Sequence, residues 1–411
     1  MNPAAPALTS SQLALTVAMT VVVQSLTAMA LAVPPVLAPV AAADLGVDPA
    51  RVGLWSGMAF LAAMFAGLAC GTLVGRYGPV RMFQAAAVCV AAGLAAGSAG
   101  SLVPVLSCAV LFGAAHGFVN PASSTILVAA APARMRGMIF SIKQTGVPLG
   151  AAAAGVLLPL LLLWTDWRHA LAVLALASAC VAPMIAPFRA RYDAGLDAKA
   201  RARHPLRLRS IVAPIAEVSR DRPVLALAVT SGVYSCVQTS FLTYLISYLK
   251  LGLGYSLVTA GSVFAVSQLA GVAARVGWGT LADRLVAPRR LLALLGIAMS
   301  LCGVAAILFD PGWPVAVVLA VCTLYGATAV GWNGVYLAEV ARLAPEGRIA
   351  TVTGGTQFFT FSGGLLGPPI FGTIVAATGS YGYGFVPIIL LPLVNAAWLL
   401  LPETRTARRG T

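Results

Sequence analysis

Charge is scarce in this chain, and negative charge scarcer still. Of 411 residues only 12 are Asp or Glu, against 26 Lys or Arg, and the four charged types together make up 9%. A soluble domain carries about one quarter. Histidine occurs three times, at His116, His169 and His204. The seven cysteines form no CxxC and stand beside no histidine, which excludes a zinc or disulfide framework and leaves them as small packing residues. No glycine-rich phosphate loop precedes a Lys-Ser or Lys-Thr pair, so ATP-driven pumping is not expected, and neither is any cofactor. A membrane hydrolase or receptor enzyme needs a Ser/His or His/carboxylate constellation at one depth, and none is present. Short alternating segments of a membrane barrel are missing as well. No Lys or Arg precedes Arg51, so the first apolar run lacks the basic start of a cleaved leader and is expected to be retained.

What remains is 60% hydrophobic, with a mean hydropathy of +0.92. Twelve apolar runs lie near 12–40, 50–74, 80–99, 102–131, 138–163, 169–187, 223–249, 257–281, 291–308, 314–341, 350–376 and 384–402. Each is long enough for a helix to cross about 30 Å of hydrocarbon. The chain reads as an all-α, multi-pass membrane protein. With the N-terminus inside, the even-numbered connections and the C-terminal tail carry 21 of the 26 basic residues. Only Arg51, Arg168 and Lys250 fall in outer connections. This positive-inside bias predicts cytoplasmic termini in a cell (inner) membrane and explains the net charge of +14 without nucleic acid.

One long polar connection, 188–222, divides the chain into six spans and six spans, giving the expected division 1–187, 188–222 and 223–411. It reads as a solvated linker facing lipid headgroups. The halves echo each other. "GTLVGRYGPVR" (71–81) matches "GTLADRLVAPRR" (279–290) at an offset of 208, and Asn120 and Asn333 are 213 apart. Near-constant offsets indicate a duplicated six-helix unit.

These two loop segments resemble the signature of the major facilitator superfamily, and the resemblance extends over essentially the whole chain. Gly71, Arg76 and Arg81 stand in the first copy, where Gly75 replaces the acidic residue. Gly279, Asp283, Arg284 and Arg289 stand in the second. The resemblance implies two pseudo-symmetric six-helix bundles around a central cavity, alternating access by rocking, and conformational gating by these loops. It also implies a monomer.

Two cations, Arg275 and Lys143, fall in no loop. Arg275 lies eight residues before Asp283, about 12 Å along a helix, and Lys143 seven residues after Arg136, about 10 Å in. A cation at such depth costs about 2.5–3.5 kcal/mol or more, and it usually faces a cavity or a partner. No Asp or Glu falls mid-span to pair with either, which points to an anionic substrate. "ARVGWG" (274–279) resembles the eighth span of monocarboxylate and oxalate transporters, where an arginine binds the substrate carboxylate. Arg275 occupies that position. The aspartate one turn before it in monocarboxylate transporters is Gly271 here. The lysine of the oxalate exchangers' eleventh span is missing too, with Gln357 and Thr360 nearby. Other candidates for the cavity wall are Gln144, His116, Asn120, Tyr234 and Gln238. Proton or counter-anion coupling stays open, with His116 able to titrate. The reading is a secondary transporter for a small organic anion, with a proton-coupled exporter of drugs or other hydrophobic compounds as the alternative.

Overall fold

The computed structural model describes residues 9–132, 135–194, 208–345 and 349–401. Every regular element among them is helical. Twelve helices are long and apolar enough to span a membrane: Ser10–Asp44, Pro49–Tyr77, Pro79–Gly97, Leu102–Ala130, Met138–Leu161, Trp167–Tyr192, Arg222–Gly252, Leu257–Ala282, Pro288–Ile307, Val315–Leu343, Val352–Thr378 and Tyr381–Leu400. They agree with the apolar runs to within a few residues at most ends. Length and hydropathy fix a span, whereas its ends depend on caps such as Asp166, whose carboxylate accepts the Arg168 and His169 N–H groups.

The spans form two six-helix bundles. They meet tightly at the face opposite Ser10 of the first span and Leu400 of the twelfth. There a Cβ on Gly53 of the second span would lie 2.2 Å from the Pro368 carbonyl of the eleventh. One on Gly57 would lie 2.9 Å from the Leu365 carbonyl. The fifth and eighth spans cross the same way, with a Cβ on Gly261 falling 2.1 Å from the Gly155 carbonyl. Only a residue without a side chain permits such approaches. Tyr244 adds a hydroxyl donated to the Ala50 carbonyl at 2.6 Å, and Ser56 and Thr243 pair at 3.2 Å. Toward the basic face, where the first span begins and the twelfth ends, Gly71, Gly277, Gly279 and Gly354 have nothing within 4 Å of a built Cβ. The close glycine contacts between the bundles described here thus lie at the far face.

The two loops with the superfamily signature are held within their own halves. Gly78 turns the chain at φ +100° between the second and third spans. Asp193, just past the sixth span, then accepts the Val80 and Arg81 N–H groups at 2.9 and 3.1 Å. A carboxylate thus caps the third span where the loop signature itself lacks its acid. In the second half Arg289 donates from Nε to the Leu399 carbonyl at 2.8 Å, tying the ninth span to the end of the twelfth. Arg76 stacks over Tyr77, and Arg284 is exposed. The side chain of Asp283 lies outside the described residues.

The connection after the sixth span is more than a solvated linker. Within it, Leu208–Arg220 forms a helix packed on the eleventh span, with Val218 buried and the Pro214 carbonyl set against Gly355. Gly78→Ala is expected to cost about 1–3 kcal/mol. Alanine at that φ is strained, and its Cβ would meet the Asp193 carboxyl carbon at 2.4 Å. A thermal unfolding scan should show the lower midpoint.

Candidate functional site

Between the bundles, at mid-depth, lies a cavity of about 140 Å³. Its walls come from the first, second, fourth, fifth, seventh, eighth, tenth and eleventh spans. Arg275 is the charged side chain among its lining residues, and none of the lining residues is Asp or Glu.

Two helix breaks position that guanidinium. The fifth span is interrupted after Gln144 and resumes at Gly146. Pro148 sits four residues beyond Gln144, and a proline has no N–H to give the Gln144 carbonyl. The tenth span breaks after Ala329 and resumes at Asn333. Carbonyls at a helix C-terminal end lack intrahelical donors and carry partial negative charge. Arg275 serves both breaks: Nη1 donates to Gln144 O at 2.6 Å, Nε to Val330 O at 3.1 Å. The first of these bonds joins the two halves. Carbonyls orient the guanidinium but do not neutralise its formal charge.

Lys143 is buried one layer behind the wall and donates to Asn120 Oδ1. Asn120 and His116 line the cavity, and His116 Nδ1 is buried without a partner among the described residues. Asn333, the counterpart of Asn120 at the repeat offset, lines the opposite wall. Its Nδ2 lies 3.4 Å from Gln238 Oε1, which also accepts from Trp332 Nε1 at 3.1 Å. Gln238 itself lines the cavity. Gln144 and Gln357 line it as well.

Tyr234 does not. It is fully buried within the second bundle, and its hydroxyl donates to the Leu292 carbonyl of the ninth span. Glu339 is occupied too: both its oxygens accept from Arg342, at 2.6 and 2.7 Å, near the basic end of the tenth span.

The sequence reading missed Ser235, Thr239 and Thr243, which line the cavity together with Gln238. Their spacing of four was a visible signal, since it places three hydroxyls on one helical face. It also missed the aromatic side chains Trp55, Phe60, Trp332, Tyr336 and Phe361. The seven cysteines are all free, as their scatter implied.

The sequence model of the Major Facilitator Superfamily matches residues 20–368. The chain belongs to this superfamily. As a member it is a secondary transporter, not an enzyme, and a multi-pass membrane protein. Among its superfamily relatives is the "Uncharacterized MFS-type transporter MT3072" of Mycobacterium tuberculosis (strain CDC 1551 / Oshkosh). The two are 26% identical over 382 residues, 89% of this chain and 81% of the relative. The "Probable nitrate/nitrite transporter NarK2" of the same strain is 31% identical over 283 residues, 66% of this chain and 65% of that protein. Among solved structures, a bacterial homologue of the human lysosomal transporter Spinster superposes with a TM-score of 0.77. It shares 15% identity, with 95% of this chain and 97% of that chain covered, and so shares the superfamily fold.

Proposed function

We propose that this transporter carries a small organic anion, a carboxylate, by alternating access, with Arg275 as the main counter-charge and Lys143 assisting. The observation that carries this is electrostatic. A guanidinium stands on the cavity wall, an ammonium lies behind it, and no lining residue is acidic. An unpaired cation at membrane depth is costly, and a substrate anion would offset that cost. The NarK2 relative, named for nitrate and nitrite, supports the anion class, since nitrate and carboxylate are both planar oxyanions of one charge. Bundles 1–187 and 223–411 would rock about this site, joined through 188–222. The basic loops would place the face they occupy in the cytoplasm of a cell whose inner membrane holds the protein.

The aromatic lining favours a second reading, export of hydrophobic compounds. The cavity's 140 Å³ argues against it, because drug-sized ligands occupy pockets of about 300–1,000 Å³.

Ligand-induced thermal stabilisation of the purified protein separates the two. Lactate, oxalate and nitrate form one arm, and lipophilic amines the other. A ligand at 100 times its Kd adds about 2.7 kcal/mol to folded-state stability. The expected result is a shift with an anion and none with the amines. A shift with amines alone would replace the anion reading with export of hydrophobic compounds.

A further inference from the structure

Lys143 raises a question that anion binding alone does not answer. Its ammonium has three N–H donors, and the one partner described for it is the neutral Asn120 side chain. The titratable or charged groups acting on it from neighbouring spans are His116 of the fourth and Arg275 of the eighth. The first span contributes the amide of Gln24, fully buried, whose two polar atoms have no partner. Gln24 packs against Gly146, one turn past Lys143. No carboxylate among the described residues acts on the ammonium.

An empty site with both side chains charged holds two like charges in a buried setting, and like charges disfavour each other's ionised form. Arginine does not give up its proton in a protein, whereas a buried lysine does so readily. Lysine is therefore the member of the pair that can relieve the repulsion. An anion seated on Arg275 reverses the balance, since its negative charge favours the ammonium. Asn120 suits both forms. Its Oδ1 accepts from the ammonium, and its Nδ2, on turning, donates to the neutral amine.

We infer that Lys143 carries a proton with the substrate: the empty site holds a neutral amine, anion binding brings one proton to Nζ, and the two cross together. This rests on the anion reading above. It assigns to the protein itself a proton-carrying group in a cavity without a lining carboxylate.

The test uses the full chain in detergent, in weak buffer with a pH-indicator dye. Nitrate is the first probe, because the anion of a strong acid brings no proton of its own. Lactate is the second. Binding to the wild type should remove about one proton per anion from solution. Affinity should fall about tenfold per pH unit above the titration of the empty site. Lys143→Arg fixes the charge, so proton uptake should vanish and affinity should no longer change with pH. Lys143→Gln should also abolish uptake, with weaker binding.

Anion binding without proton uptake between about pH 6 and pH 9 would overturn the inference. So would uptake that persists in Lys143→Arg. Loss of uptake in His116→Gln, with uptake intact in Lys143→Arg, would make His116 the carrier and overturn it as well. If nitrate, lactate and oxalate all fail to bind, the anion reading falls, and this inference falls with it.

Discussion

Arg275→Gln is expected to remove anion-induced stabilisation and to lower anion transport by at least about 100-fold. That factor corresponds to about 2.7 kcal/mol, within the range of removing one partner of a buried hydrogen-bonded charge pair. Glutamine supplies no charge. It is also too short to reach the Gln144 and Val330 carbonyls together, so two buried acceptors lose their donors at about 1–3 kcal/mol each. A lower melting point is therefore expected whatever the substrate. Arg275→Lys separates the two effects. It keeps the charge but replaces a rigid fork with a point donor, so it should melt as low as the glutamine variant yet keep part of the anion response. Uptake of labelled lactate and nitrate into proteoliposomes, read beside the melting curves, makes the comparison. Unchanged uptake in Arg275→Gln would leave the arginine as a clamp on two broken helices and nothing more.

The second large effect belongs to Gly53. A Cβ there would fall 2.1 Å from the Tyr244 hydroxyl and 2.2 Å from the Pro368 carbonyl. The latter is backbone and cannot step aside. Gly53→Val should therefore keep the far face from closing. Transport is expected to fall by about two orders of magnitude while the protein stays folded, because the rocking cycle needs both end states. Ser56 and Thr243, which pair beneath that contact, report the change. A single cysteine at either position, in a background without the native cysteines, should react with a membrane-impermeant thiol reagent from the far face in the valine variant and be shielded without it. Equal shielding in both would mean that the glycine packing does not close that face.

The twelve spans were legible because span length and apolar content are imposed by the bilayer, and the offsets near 210 revealed the duplication. The wall of the cavity was harder to read. Lys143 and Gln144 are neighbours, yet about 100° of helical rotation separates consecutive side chains. One ends behind the wall and the other on it. Tyr234 and Gln238 are four apart on one span, yet the tyrosine reaches away to Leu292. Such choices depend on which neighbour offers an acceptor, and that is decided only when helices from distant parts of the chain meet. The carbonyl that Arg275 serves is a middle case. Pro148, four residues after Gln144, marks an acceptor without its helical donor, but nothing local to the fifth span says that an arginine 131 residues away will supply one. Asp193 shows the same limit: it stands in a linker, 113 residues along the chain from the Val80 N–H that it caps.

The cations at the centre of the protein also bear on the membrane potential. A charge that crosses the full field gains or loses about 2.3 kcal/mol per 100 mV. With Lys143 neutral the empty site carries the one charge of Arg275, and with one anion and one proton aboard it carries the same single charge, so either form is drawn toward the negative side of the membrane. With the basic face toward the cell interior, an inside-negative potential favours an inward-open conformation whether the site is empty or loaded. The loaded and empty crossings then feel the same pull in opposite directions, and a monovalent anion moves with its proton without net work against the potential.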